Sequence, residues 1–260
     1  MPAIIIPRRH LIQPQGRLRL RHDWVGRVVS LVHFGTGRAL DVADFNAAYT
    51  PSGSASFVSS QSGVGLKTGP GYDYIQSSGA LAGFSGNFTL ALYFEEFGAT
   101  QDANGGMMWA IPAASHYTQL TSTGGIFFAG QGPYSLSSDP RGTRNTSIIL
   151  RGAGSDPAFF VGRGKSTGVS ASIASGAKTV RIGAWSSSGW NFSGTYGSVA
   201  LVNGSMSDAE VMELVEYPWM FYAIDPARFY SLPSGPITLT SLMMSAFTSS
   251  GARATLGITR

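Results

Sequence analysis

With 260 residues, 43% of them apolar, the chain is long enough to bury one large core, yet only 12% of it is charged, against roughly 25% in an average globular protein. It has no cysteine, which excludes disulfides, thiolate metal sites and a cysteine nucleophile, and no stretch approaches the roughly 18–20 apolar residues of a membrane-spanning helix. The net charge of +4 belongs to one end: residues 1–27 hold six arginines against one aspartate, while the remainder has twelve basic and thirteen acidic residues.

Residues 1–22 read as an extended basic arm, separate from the core. Pro2, Pro7 and Pro14 oppose regular helix, and Gly16 adds a turn. The segment lacks the charged, apolar and cleavage regions of a secretion signal, so the protein is expected to be soluble when made, without membrane insertion. Arg8, Arg9, Arg17, Arg19 and Arg21 suit docking on an acidic protein surface. Nucleic acid is the poorer fit, because the arm lacks the interleaved aromatics of a single-strand binder. In Arg17-Leu18-Arg19-Leu20-Arg21 the alternation is strict, so a strand would separate arginines from leucines.

Residues 23–232 read as one β-rich body. Short β-branched or aromatic runs alternate with Gly, Ser and Asn turns: 28–34, 55–58, 72–76, 87–97, 107–111, 125–128, 147–150, 158–161, 179–185 and 198–202. Such spacing predicts an antiparallel sandwich. The best strand is 87–97, where Phe88, Leu90, Leu92 and Phe94 share a face. One helix follows. Ser207 and Glu210 form a capping box, Val211, Leu214 and Val215 make an apolar stripe, and Pro218 stops it before Trp219-Met220-Phe221-Tyr222.

Residues 233–260 read as a β-hairpin tail behind a Pro233–Pro236 hinge. Ile237, Leu239, Met243, Met244, Phe247, Leu256 and Ile258 give it apolar area with no clean solvent side. A lone hairpin is marginal in water, so the tail is expected to pair with a neighbouring copy, for example in a trimer, or to dock on a partner.

The segment from Asn87 to Tyr222 resembles the laminin-G-like, concanavalin-A-like jelly-roll proteins. The strand 88–94 carries the resemblance, as does the closing unit from Tyr196 to Glu210, a strand, an Asn203-Gly204 turn and a capped helix. The ends are similar to a narrower group from tailed bacteriophages, through the Pro/Arg/Gln-rich arm at 8–16 and the Pro218-Trp219-Met220-Phe221 finish. This resemblance implies a jelly-roll sandwich in a virion structural protein: a decoration, head-fibre or collar component made in the bacterial cytoplasm, with capsid or tail proteins as partners. The alternative is a tail or baseplate module that binds a host surface glycan.

The residues supply no catalytic constellation, and no enzyme activity or cofactor is expected. Gly164-Lys165-Ser166 imitates the end of a phosphate-binding loop, but Phe159 stands where the first glycine belongs. Glu95 and Glu96 lack the Glu-x-Asp-x-x-Glu spacing of the retaining glucanases that share this fold, and strict alternation would put them on opposite faces. His10, His22, His33 and His116 are scattered, and Asp102, Asp139 and Asp156 are poor candidates for a loop calcium site, so no metal is expected. For a glycan, aromatic faces are the natural ligands. Of the group Trp185, Trp190, Asn191 and Tyr196, the loop pair Trp190 and Asn191 are the candidates, with Trp185 and Tyr196 expected in the core.

Overall fold

A computed structural model of the chain describes residues 18–224 apart from 35–37, 44–47, 61–62, 70, 85–86, 100, 102–104, 115, 129–130, 153–156, 168–175 and 186–189. Arg8, Arg9 and Arg17 of the arm, and the whole of the 233–260 tail, lie outside the described residues.

The fold is an antiparallel β-sandwich of the jelly-roll kind with one short helix. Among the described residues sixteen strands join in a single sheet that folds back on itself. One half runs through Val28–His33, Gly194–Asn203, Phe88–Phe97, Arg144–Gly152, Ala158–Val161 and Gly164–Thr167. The hairpin Ser56–Ser59/Val64–Thr68 joins this half on Gly194–Asn203. The other half runs through Ala48–Ser52, Tyr74–Ser77, Arg181–Ile182, Gly106–Ile111, His116–Leu120, Ile126–Phe128 and Gln131–Tyr134. Ala39–Asp41 turns the corner between them.

The halves pack face to face through aromatic side chains. Phe88 meets Phe128 at 5.3 Å between ring centroids, and Tyr134 meets Phe159 at 5.4 Å. Phe94, Phe97, Phe192 and Tyr196 form a second knot, each neighbouring pair about 5 Å apart. Such offset or edge-on pairs add stabilisation beyond the area they bury. The buried Tyr196 hydroxyl donates to the Met108 carbonyl at 2.9 Å, which ties one half to the other and satisfies a polar group that would otherwise cost free energy.

A second core lies on the outer face of the first half. The strands Phe88–Phe97 and Gly194–Asn203 have apolar residues on both faces, so alternate residues Ala91, Tyr93, Ala200 and Val202 need a cover of their own. The helix Asp208–Glu216 supplies it with Val211 and Leu214, and the run Trp219–Tyr222 completes it. The helix starts where predicted. Ser207 Oγ accepts from the Glu210 backbone N–H at 3.2 Å, and Glu210 Oε2 accepts from the Ser207 N–H at 2.7 Å, an arrangement worth about 1 kcal/mol. Asp208 then clamps the helix to the sheet through Arg151, 2.7 Å away and buried, and Lys165, 2.9 Å away. These two cations hold the Asp208 carboxyl below its ordinary pKa.

The last residues of the predicted arm are engaged with the body. Leu18–Leu20 is a strand, as the alternation allowed, and it pairs antiparallel with Tyr222–Ile224. Arg19 is exposed while Leu20 packs on the outer core. Arg21 is engaged with the body: its backbone N–H donates to the Phe221 carbonyl, and its guanidinium reaches Met220 O at 3.0 Å and Asp23 at 2.7 Å. Non-local pairing with a strand two hundred residues away has no local sequence signature. A chain beginning at Asp23 is therefore expected to lose more than about 1 kcal/mol, which for a domain of this size lowers Tm by at least roughly 2–4 °C. Calorimetry on the truncated chain checks it, and an unchanged Tm would mean that the pairing carries no stability.

His33 also lies in the outer core, with ring centroids 5.3 Å from Tyr222 and 6.5 Å from Trp219. Burial lowers its pKa to about 4, from an ordinary 6.5. The folded chain thus holds the neutral imidazole while the unfolded chain takes up a proton near pH 6.5. This contribution to stability is complete above that pH and drains away as pH falls towards 4. Urea melts at pH 6.5 and 5 are expected to show the loss, and His33→Phe is expected to flatten it.

Candidate functional site

The outer face of the second half carries a row of aromatic and polar side chains. Ile75, Ile182 and Trp109 point into the sandwich core, so Tyr74, Gln76, Arg181 and Ala110 beside them face outward. Register aligns them: Thr50 stands opposite Gln76, Gln76 opposite Arg181, Arg181 opposite Ala110 and Ala110 opposite Tyr117. The row crosses five strands.

Arg181 organises the row. Its Nε and Nη2 donate to Gln76 Oε1 at 3.0 and 2.7 Å, and Nη1 donates to the Tyr72 hydroxyl at 3.2 Å and to the Trp185 carbonyl. Its Cζ lies 4.4 Å from the centroid of Tyr74, a cation–π contact. Every partner is neutral, so the guanidinium charge is held in place but uncompensated by these contacts. Tyr72 reaches Arg181 from a left-handed backbone, φ 65°, which is uncommon outside glycine. The buried Asp73 beside it braces that loop, accepting from the N–H of Ser54 at 2.5 Å and of Gly69 at 3.1 Å. Burial raises the Tyr72 hydroxyl pKa; Arg181 opposes the rise and Tyr74 adds to it.

Four half-buried rings result. Tyr72 and Tyr74 meet at 5.0 Å, and Tyr117 meets Trp185 edge-on at 5.3 Å. Rings that keep one side in water, fixed by neighbours, offer flat apolar area at little entropic cost to a partner that stacks on them.

The sequence candidates distribute differently from expectation. An isolated bridge between Ala184 and Asn191 closes the segment that carries Trp185 at one end and Trp190 at the other. Trp190 is half-buried, but Asn191 is fully buried and is not a surface ligand. Trp185 belongs to the outer face, not to the core, whereas Tyr196 is a core residue as expected. Tyr72, Tyr74, Gln76, Tyr117 and Arg181 escaped sequence reasoning. For Tyr74, Gln76 and Arg181 the signal was an aromatic or polar residue beside an isoleucine, which also describes any half-exposed strand; Tyr72 and Tyr117 carried no such signal.

Glu95 and Glu96 also depart from expectation. Thr195 stands opposite Glu96 and Tyr196 opposite Phe94, so the strand Phe88–Phe97 carries an extra residue at this point. The bulge breaks the alternation, and both carboxylates line one cleft with Lys67, Arg144, Thr195, Ser59 and Ser60.

The remaining candidates have structural roles. Gly164–Thr167 is a hairpin strand on Ala158–Val161, and Lys165 serves Asp208. Asp139 is paired with Arg141, while His10, Asp102 and Asp156 lie outside the described residues. Among the described residues no three His, Cys, Asp or Glu side chains form a group able to hold a metal, and no helix is long and apolar enough to cross a membrane.

No protein-family model and no curated protein sequence matches this chain. Solved structures do match in fold. Domain 4 of AbnA, a GH43 extracellular arabinanase from Geobacillus stearothermophilus solved in complex with arabinotriose, aligns with TM-score 0.56 and 11% identity, over 73% of this chain and 98% of the domain. The botulinum neurotoxin serotype D binding domain aligns with TM-score 0.56 and 10% identity, over 75% of this chain and 53% of that one. Trypanosoma rangeli sialidase aligns with TM-score 0.52 and 11% identity, over 75% and 33%. The chain thus spans nearly all of the arabinanase domain, about half of the toxin domain and a third of the sialidase. At such identities the likeness establishes a shared β-sandwich architecture.

Proposed function

We propose that the chain is a non-catalytic carbohydrate-binding module that takes its glycan on the aromatic face around Arg181. The observation that carries this reading is the set of half-buried rings of Tyr72, Tyr74, Tyr117 and Trp185 on adjacent strands: one guanidinium holds the Tyr72 hydroxyl, the Tyr74 ring and the Trp185 carbonyl, and Tyr117 packs edge-on against the Trp185 ring. Sugar rings present an apolar C–H face that stacks on such a surface, while their hydroxyls find amide, phenol and guanidinium groups at its edge. Binding without turnover is supported by the position of Asp73, which faces its own loop amides and is buried away from the surface. The fold neighbours lend support of a general kind, since one was solved with arabinotriose and the cell entry of another, botulinum neurotoxin type C, depends on interaction with two ganglioside molecules.

A glycan array followed by calorimetry tests the proposal. At least one neutral oligosaccharide is expected to bind. Trp185→Ala and Tyr74→Ala are each expected to weaken it tenfold or more, about 1.4 kcal/mol, with Tm little changed. An array blank for the unmodified chain, or full affinity in both variants, would sink the reading.

The wider setting we propose is the virion of a tailed bacteriophage, with the basic arm and the C-terminal tail as docking elements on capsid or tail proteins. Its support is the resemblance of the chain ends, including the Pro218-Trp219-Met220-Phe221 run that closes the outer core. Peptides of this chain in mass spectra of purified particles are expected, in constant ratio to the major capsid protein. Particles lacking them would overturn the setting and leave the glycan reading intact.

A further inference from the structure

The cleft at Glu95 and Glu96 lies on the outer face of the first half. The inward neighbours of its residues, Leu66, Phe94, Phe97 and Tyr196, belong to the sandwich core. The helix and the aromatic run cover this face over Ala91, Tyr93 and Ala200. Beyond that cover the face turns polar. Register places Ser56 opposite Lys67, Lys67 opposite Thr195, Thr195 opposite Glu96 and Glu96 opposite Arg144, a straight row over five strands. At about 4.8 Å per strand, the Lys67 and Arg144 backbones stand roughly 14 Å apart with the carboxylates between them.

Two glycines allow close packing around Glu95. A Cβ on Gly197 would come within 2.4 Å of the Tyr93 ring and 3.2 Å of Glu95 Cγ, and one on Gly65 would lie 2.6 Å from Thr195 and 3.6 Å from Glu95 Oε2. Glycine at 197 leaves room for the Tyr93 ring and the Glu95 stem, while glycine at 65 lets its strand approach Thr195 and the Tyr196 carbonyl; the Glu95 side chain lies against these strands, 6% exposed, while it lines the cleft. The hairpin Ser56–Ser59/Val64–Thr68 forms the opposite wall with Val58, Ser59 and Ser60. Its turn is fixed by Ser60, whose N–H and hydroxyl both donate to the Gly63 carbonyl, at 2.8 and 3.1 Å. The cleft has a volume of about 290 Å³, at the lower end of the range for small-ligand sites.

Among the described residues Lys67, Glu96 and Arg144 form no ion pair, although three strand spacings hold all of them. Two cations at the ends, carboxylates at the centre and hydroxyls along the walls match a ligand with carboxylates at its ends and hydroxyls between. We propose that this cleft is a second binding site, for an acidic oligosaccharide of about two uronic acid residues. Arg144 and Lys67 pair with the sugar carboxylates, and Glu95 and Glu96 accept the hydroxyls between them. Charge-assisted contacts of this kind are the strong ones, and Arg144 offers a carboxylate two parallel N–H donors. The inference rests on the carbohydrate-binding reading but uses the opposite face of the sandwich.

Digalacturonate and its methyl ester are the probes, titrated by calorimetry into the full chain. Digalacturonate is expected to bind. The ester is expected to bind at least tenfold more weakly, and Arg144→Gln and Lys67→Gln each to lose tenfold or more. Both side chains are exposed, so Tm is expected to hold. Trp185→Ala, which impairs the aromatic face, is expected to leave digalacturonate affinity unchanged. Equal affinity for acid and ester, full affinity in both cation variants, or no binding at millimolar concentration would each overturn the proposal. If neutral glycans still bind through Trp185 in that event, the second site fails alone. If no glycan of either kind binds, the carbohydrate reading fails with it.

Discussion

The central strands Phe88–Phe97 and Gly194–Asn203 are buried on both faces, and the rest of the fold is arranged to satisfy them. A strand with one apolar face needs one partner layer; these need two. The inner face is met by the folded-back half of the sheet, with the Phe88–Phe128 and Tyr196–Met108 contacts across the gap. The outer face is met by a helix of nine residues and the aromatic run that follows it. Such a helix is too short to be stable alone, so its apolar stripe, capping box and Asp208 clamp act together. The position of that cover also decides where function can lie. Where it ends, near Tyr93 and Ser198, the same strands pass into Glu95, Glu96 and Thr195, and a cleft opens.

Low overall charge makes the placement of each ion pair informative. Arg151, buried beneath the helix start, has Asp208 at 2.7 Å and the Met206 carbonyl at 2.9 Å. Removing Asp208 would take a carboxylate from a buried guanidinium, and breaking a buried pair by deleting one partner costs more than the pair itself contributes. Arg27 reaches Glu210 at 2.8 Å and lies over Trp24, 4.3 Å from its ring centroid, so the cap and the outer core share one anchor. Arg181 is the contrast. It contacts an amide, a phenol, a carbonyl and a ring but no carboxylate, which is an arrangement for positioning rings on a surface.

The sequence made local features legible and left non-local ones hidden. The capping box, the Pro218 stop and the 87–97 strand were readable because each depends on residues within a turn or a period. Strands such as Ala48–Ser52, Val64–Thr68, His116–Leu120 and Gly164–Thr167 were not. They contain Pro, Gly or polar residues and are strands because neighbours supply their hydrogen bonds. The same applies to Leu18–Leu20, whose partner strand begins at Tyr222. In the candidate sites, the Ser/Gly-rich setting located Trp190 in a loop but gave no sign that Asn191, bridged to Ala184, is buried while Trp185 is only half-buried. Alternation failed outright at Glu95 and Glu96, because a bulge is an insertion relative to the partner strand and leaves no mark within its own strand.

The two outer faces separate packing from surface chemistry within one architecture. Their inward residues converge on a single core, so those positions are constrained by packing. The outward ones alternate with them and are free to differ. On one side they are aromatic and gathered by a cation; on the other they are charged and spread along a row. Solved sandwiches at 10–11% identity keep the fold over three quarters of this chain, which is what a conserved packing rule with variable outer faces would produce. What distinguishes this chain from its fold neighbours therefore lies in Arg181 with its rings and in the carboxylates beyond the helix, because the shared fold is compatible with many ligands.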